Sequence, residues 1–165
     1  MKLRPLKQWI CDFCGEVIAS PVDGWLEWLD DADHRAHEFK IVHHFPASPQ
    51  RETRSNGCYH YSKHPDRADM HLDSFLGADG LAYLLSFIDI GYKEIPSHRE
   101  GPRVRSTREW AELFRRLQLP YYEEARLYWD RAESDGFFGG CNQIWPYLEG
   151  NLAEIVKRYR PPKEG

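Results

Sequence analysis

A chain of 165 residues can bury roughly two-thirds of its unfolded surface, as one domain or as a small domain joined to a larger one. Six Trp, nine Tyr and eight Phe predict a core resting on large flat side chains, and a net charge of −4 disfavours indiscriminate nucleic-acid binding. No run approaches the ~18–20 apolar residues of a membrane span, and Lys7 and Gln8 interrupt the N-terminus before a signal-peptide core can form, so we expect a cytoplasmic protein with no membrane partner.

The stretch with the clearest chemistry is Trp9-Ile10-Cys11-Asp12-Phe13-Cys14-Gly15-Glu16-Val17-Ile18. Apolar pairs on either side predict two short strands joined by a tight turn. Gly15 supplies the backbone freedom such a turn needs, and the turn points both thiols at one place. In a reducing compartment a CxxC pair signals metal or redox chemistry. Redox use of the thioredoxin kind needs a helix starting at the first cysteine, which Gly15, Val17 and Ile18 oppose. The expectation is a metal.

Ser20 to Gly24 reads as a turn and Trp25 to Leu29 as a strand. Asp30, Asp31 and Asp33 crowd a polar loop, but the glycine and distal glutamate of a calcium loop are missing. Phe39 to His44 is the next strand, with Phe39, Ile41 and His43 alternating against Lys40, Val42 and His44. An irregular polar stretch then leads to Cys58. So small and loop-rich a module needs a staple. Residues 1–68 are therefore predicted as a zinc-stabilised β module.

From residue 69 the pattern becomes helical. Met70, Leu72, Phe75 and Leu76 lead into a helix capped by Asp79, with Leu81, Leu84, Leu85 and Ile88 as its face and Gly91 as its stop. Pro96 to Pro102 makes a linker. Ser106 or Thr107 caps a second helix with the stripe Trp110, Leu113, Phe114 and Leu117. A third runs from Tyr121 to Ala132, with Ala125, Tyr128, Trp129 and Ala132 inward. Pro146 opens a last one, striped by Leu148, Leu152, Ile155, Val156 and Tyr159. The fold class expected is α+β, with about four helices over 69–165.

Cys11 and Cys14 supply half of a tetrahedral site, and Cys58 is the natural third ligand. His43, His44, His60 and His64 compete for the fourth place. The preferred set is Cys11, Cys14, His43 and Cys58, whose soft thiolates and imidazole suit Zn2+. Cys141 lies between Gly140 and Asn142, far along the chain, and reads as a packing residue.

On the strength of Cys-Asp-Phe-Cys-Gly, roughly the first sixty residues resemble zinc-ribbon and treble-clef proteins, although a second CxxC is absent. That resemblance implies a zinc-pinned β module, a device shared by enzymes, adaptors and nucleic-acid binders. Val42-His43-His44-Phe45-Pro46, followed by Asn56 and His60 or His64, resembles the core of HNH nucleases. It implies His43 and His64 as metal ligands, His44 as general base and Asn56 as orienter. Against it, Gly57 and Pro65 discourage the helix that family places here.

Residues 93–116 carry seven Lys or Arg against four Asp or Glu. Arg99, Arg103, Arg105, Arg108, Arg115 and Arg116 are thus candidates for gripping phosphates, while Glu100, Glu109 and Glu112 favour a salt-bridged face instead. With no nucleotide-binding loop or catalytic triad, the preferred function is a non-enzymatic, zinc-binding interaction module for a partner protein. Trp25, Trp28, Tyr59, Tyr61, Tyr121 and Tyr122 are the aromatics available for its surface. Metal-dependent nuclease and nucleic-acid binder are the alternatives.

Overall fold

The computed structural model describes residues 2–89 and 101–162. Two antiparallel sheets and a set of helices make an α+β fold. The first sheet is the hairpin β1 (Trp9–Ile10) and β2 (Val17–Ile18), in the register Trp9 opposite Ile18 and Ile10 opposite Val17. The second has the order β4-β3-β5, with β3 (Gly24–Asp30) between β4 (Ala36–His43) and β5 (Arg67–His71).

Along β3 and β4, Gly24 faces His43 and Leu26 faces Ile41, until the register shifts between Glu27 and Leu29. Glu38, in the left-handed region at φ 56°, is an extra residue of β4 at that shift. It bulges the strand and turns Ala36 and His37 inward. β5 lies where the sequence pattern suggested an approach to a helix. Trp25 pairs with His71 and Leu26 with Met70, because the second edge of β3 also needs a hydrogen-bonding partner. That requirement comes from a strand some forty residues away and leaves no local period.

The helices are α1 (Gly77–Ser86), α2 (Thr107–Gln118), α3 (Tyr122–Ala125), α4 (Trp129–Ser134) and α5 (Glu149–Tyr159). Ser106 caps α2, its hydroxyl accepting from the Glu109 amide at 3.3 Å. α1 begins after Leu76 rather than at Asp79. The helix expected over Tyr121 to Ala132 is broken by a 3-10 turn at Arg126–Tyr128, and Tyr121 precedes α3 in the left-handed region at φ 67°. Pro146 sits in a separate 3-10 turn, Trp145–Tyr147, ahead of α5. Gly91, Pro96 and Arg99 lie outside the described residues.

One buried cluster joins Trp9, Ile18, Leu26 and Ile41 of the sheets to Leu72, Phe75, Leu84, Leu113 and Leu117 of the helical part. Trp28, Phe39, Phe75 and Phe87 meet mostly edge-on within it, at ring centroids of 5.3 to 6.4 Å, the geometry their quadrupoles favour. A second cluster holds Tyr122, Ala125, Ala132, Leu152, Ile155, Val156 and Tyr159. Leu81, Leu85 and Leu148, expected on buried stripes, are instead exposed. Leu81 and Leu85 each follow a buried residue, Gly80 and Leu84, by one position, about 100° around α1, and Leu148 precedes α5 as its N-cap residue. Among the described residues, no helix is long and apolar enough to cross a membrane.

Candidate metal centre

Cys11 leaves β1, and its amide donates to the Glu16 carbonyl at 2.9 Å. The Gly15 amide closes the turn by donating to the Cys11 carbonyl, also at 2.9 Å. Gly15 has φ +75°, the left-handed backbone that a side chain would resist. His43 reaches the same place from the end of β4. Cys58 arrives from the long loop, its Sγ 3.1 Å from Ser48 Oγ.

The ligand atoms of Cys11, Cys14, His43 and Cys58 all lie within 4.8 Å of one another. Cys14 Sγ is 3.5 Å and Cys58 Sγ 3.8 Å from His43 Nδ1. Bonds of about 2.3 Å to sulfur and 2.0 Å to nitrogen would place tetrahedral ligands roughly 3.5–3.8 Å apart. All three cysteines are free thiols. Cys11, His43 and Cys58 are buried, and Cys14 is half-buried. This Cys3His group can hold a metal ion.

The tautomer of His43 follows from its other nitrogen. Nε2 lies 3.3 Å from the Val17 carbonyl, which can only accept, so Nε2 carries the proton. In the neutral ring this leaves the Nδ1 lone pair directed at the thiols, the arrangement by which a backbone carbonyl orients a histidine ligand. Burial alone would raise the Cys11 thiol, but His43 and the Cys14 and Phe13 amides outweigh it and bring it down to about 7. Burial pushes Cys14 up to about 12, with Cys11 adding to the rise. Burial also raises Cys58. For His43 burial acts downward, and the neighbouring Cys11 thiolate overcomes it.

Comparison with protein-family models, with curated proteins and with solved structures finds no match to this chain.

The other histidines stay outside the group. His44 stacks on Trp25 at 4.9 Å and 8° and meets the His71 ring edge-on. The His60 amide donates to Glu27 Oε2 at 2.8 Å, while its ring packs edge-on against Phe13. His64 Nδ1 accepts the Asp66 amide at 3.3 Å. Asn56 donates its amide to the Tyr59 carbonyl and Ser62 Oγ, which fixes a turn. Cys141 donates to the Phe138 carbonyl at 2.9 Å, apart from the three clustered thiols. Asp31 folds its own loop, accepting from the Asp33 and Arg35 amides and pairing with the Arg35 guanidinium.

The basic segment divides. Arg116 is not a surface cation: it is buried, with Nε 2.7 Å from Glu123 Oε2 and Nη1 2.8 Å from Asp12 Oδ2. Arg115 lies over the Tyr147 ring at 4.2 Å. Arg103 and Arg105 run along Ala36, whose amide donates to the Arg103 carbonyl and whose carbonyl accepts the Arg105 amide. Arg108 borders a groove between β4 and α2. Of the surface aromatics, Tyr122 is buried and Trp28 packs against the main core.

Sequence reasoning passed over Asp12. Its Oδ2 accepts from the Ile41 amide at 2.7 Å as well as from Arg116, tying the cysteine turn to β4 and α2 together. Glu123 completes the tie by accepting the Ile10 amide at 3.0 Å. Burial would raise the Glu123 carboxyl, but Arg116 and then Arg126 hold it below the ordinary range. The available signal was a carboxylate set between the two cysteines of the CxxC pair.

Proposed function

We propose that this chain is a non-enzymatic binding protein in which Cys11, Cys14, His43 and Cys58 hold one Zn2+ as a structural pin. The carrying observation is the buried group of three thiols and one imidazole converging within 4.8 Å. Four protein ligands complete a tetrahedron, leaving no position for the water a catalytic zinc needs. Soft sulfur donors favour zinc over magnesium or calcium. The likeness of Cys-Asp-Phe-Cys-Gly to a zinc knuckle supports the same reading, and zinc would add folding free energy to a module whose first hairpin has strands of only two residues.

The metal holds a surface for a partner protein in this reading. Ile144 and Leu148, 70% and 52% exposed, flank the turn Trp145–Tyr147, and apolar side chains of this size are the material of interface cores.

Elemental analysis of the wild type, Cys58→Ala and His43→Ala tests the pin. One zinc per chain, lost together with thermal stability in both variants, is expected. Full metal content and unchanged melting in both would remove the reading. A photo-crosslinking residue at position 144 should then yield a discrete protein adduct in cells.

A further inference from the structure

The loop that delivers Cys58 continues over a cavity of about 520 Å³, all of whose lining residues fall within 54–65. Its charged and titratable members are Arg54, Lys63, His60, His64 and Tyr61, the last donating its hydroxyl away to Glu38; Ser55 and Ser62 add hydroxyls, and no carboxylate lines it. Arg54 is held in place, its guanidinium lying 3.9 Å over the Phe13 ring of the cysteine turn, a stacking that leaves the edge of the fork free to donate. Neither Arg54 nor Lys63 forms an ion pair with another described residue. Ser62 Oγ accepts from Asn56 at 2.8 Å, so its own hydrogen is available to a ligand. The flanking Asp66 carboxylate is 3.9 Å from His64 Nδ1.

We infer that this cavity binds a small phosphate monoester, with Arg54 and Lys63 taking the phosphate and Ser62 donating to it. Cations and hydroxyls lining one recess, with no carboxylate among them, are what a dianionic phosphate requires. The volume falls within the range of small-molecule sites. A net charge of −4, with Asp66 beside the lining residue His64, opposes a long polyanion. None of the four residues of the metal group lines the site.

Two-dimensional amide NMR of the metal-loaded chain at low salt tests this, with AMP, glycerol 3-phosphate, inorganic phosphate and sulfate as probes. Saturable shifts confined to residues 54–65, seen with at least one monoester and weaker with sulfate, are expected. Arg54→Gln/Lys63→Gln should weaken binding about tenfold or more, while Arg51→Gln, outside the lining, should leave it unchanged. Because Arg54 touches the cysteine turn, Lys63→Gln alone must also weaken binding at unchanged melting temperature and metal content. Absence of saturation by about 10 mM, equal response to sulfate and every phosphate, or insensitivity to the Lys63 variant would each overturn the proposal. So would affinity that climbs steadily with oligonucleotide length. Metal content reports on the zinc reading separately, so failure of one is distinguishable from failure of the other.

Discussion

Asp12 Oδ2 sits 2.8 Å from Arg116 Nη1, joining the loop between the first two cysteines to the interior of α2. Arg116 also spans Glu123 through Nε and Nη2, at 2.7 and 2.9 Å. The candidate metal centre is therefore braced by a buried ion network as well as by its own ligands. A buried charge is tolerated when its partners surround it, and removing one partner strands the others.

Arg116→Ala should accordingly destabilise the chain by about 3–5 kcal/mol, because Glu123 and Asp12 lose their counter-charge in a dry setting. Urea unfolding followed by Trp fluorescence measures it. A loss under about 1 kcal/mol would mean that water reaches the network freely.

The same network makes stability depend on pH. Glu123 has its folded-state pKa below its ordinary value of 4.5, so its contribution is present above that value. It is lost as pH falls through the lower folded value, where the carboxylate protonates. Glu123→Gln should flatten the acid limb of the stability curve below pH 4.5. Equal acid limbs in variant and wild type would assign acid sensitivity to other groups.

Glu27 predicts the opposite sign. It is fully buried in β3, Oε2 accepts from the His60 amide, and Oε1 has no partner. Burial raises its pKa, so ionisation costs stability as pH rises through the folded value. Glu27→Gln keeps an acceptor for His60 and removes the charge. Its stability relative to wild type should improve by about 1 kcal/mol as pH rises from acid to alkaline, read from parallel denaturation series. A pH-independent difference would show that the carboxyl titrates alike in the folded and unfolded chain, so that burial does not raise it.

At Gly15 the backbone alone is at stake. φ is +75°, and an added Cβ would meet nothing within 4 Å. Gly15→Ala should cost about 1 kcal/mol and speed metal release to a chromogenic chelator. Unchanged release would show that the turn relaxes without disturbing the thiols.

Cys141→Ser supplies the contrasting case, since a hydroxyl can still donate to the Phe138 carbonyl. Metal content and melting should match the wild type. Loss of metal would bring Cys141 into the centre.

Much of this was readable from the chain. The spacing of Cys11, Cys14 and Gly15, with apolar pairs around it, specifies the hairpin turn, because those constraints act within a few residues. The 3.6-residue stripe of Leu113 and Leu117 and the capping Ser106 specify α2 for the same reason. The choice among four histidines is not local: alternation places His43 on a face, and only the pairing of β4 with β3 and the return of Cys58 bring that face to the thiols.

The sequence by itself determined the elements whose causes are local: the cysteine turn, the principal strands and the amphipathic helices. Only the tertiary structure decided that residues 67–71 form a strand, that the expected third helix breaks, and that Arg116 is a buried brace instead of a surface cation. The physical reason is common to all three. A strand edge, a packing limit and an ion pair spanning 104 residues are set by partners distant in sequence, and neither periodicity nor charge count contains them.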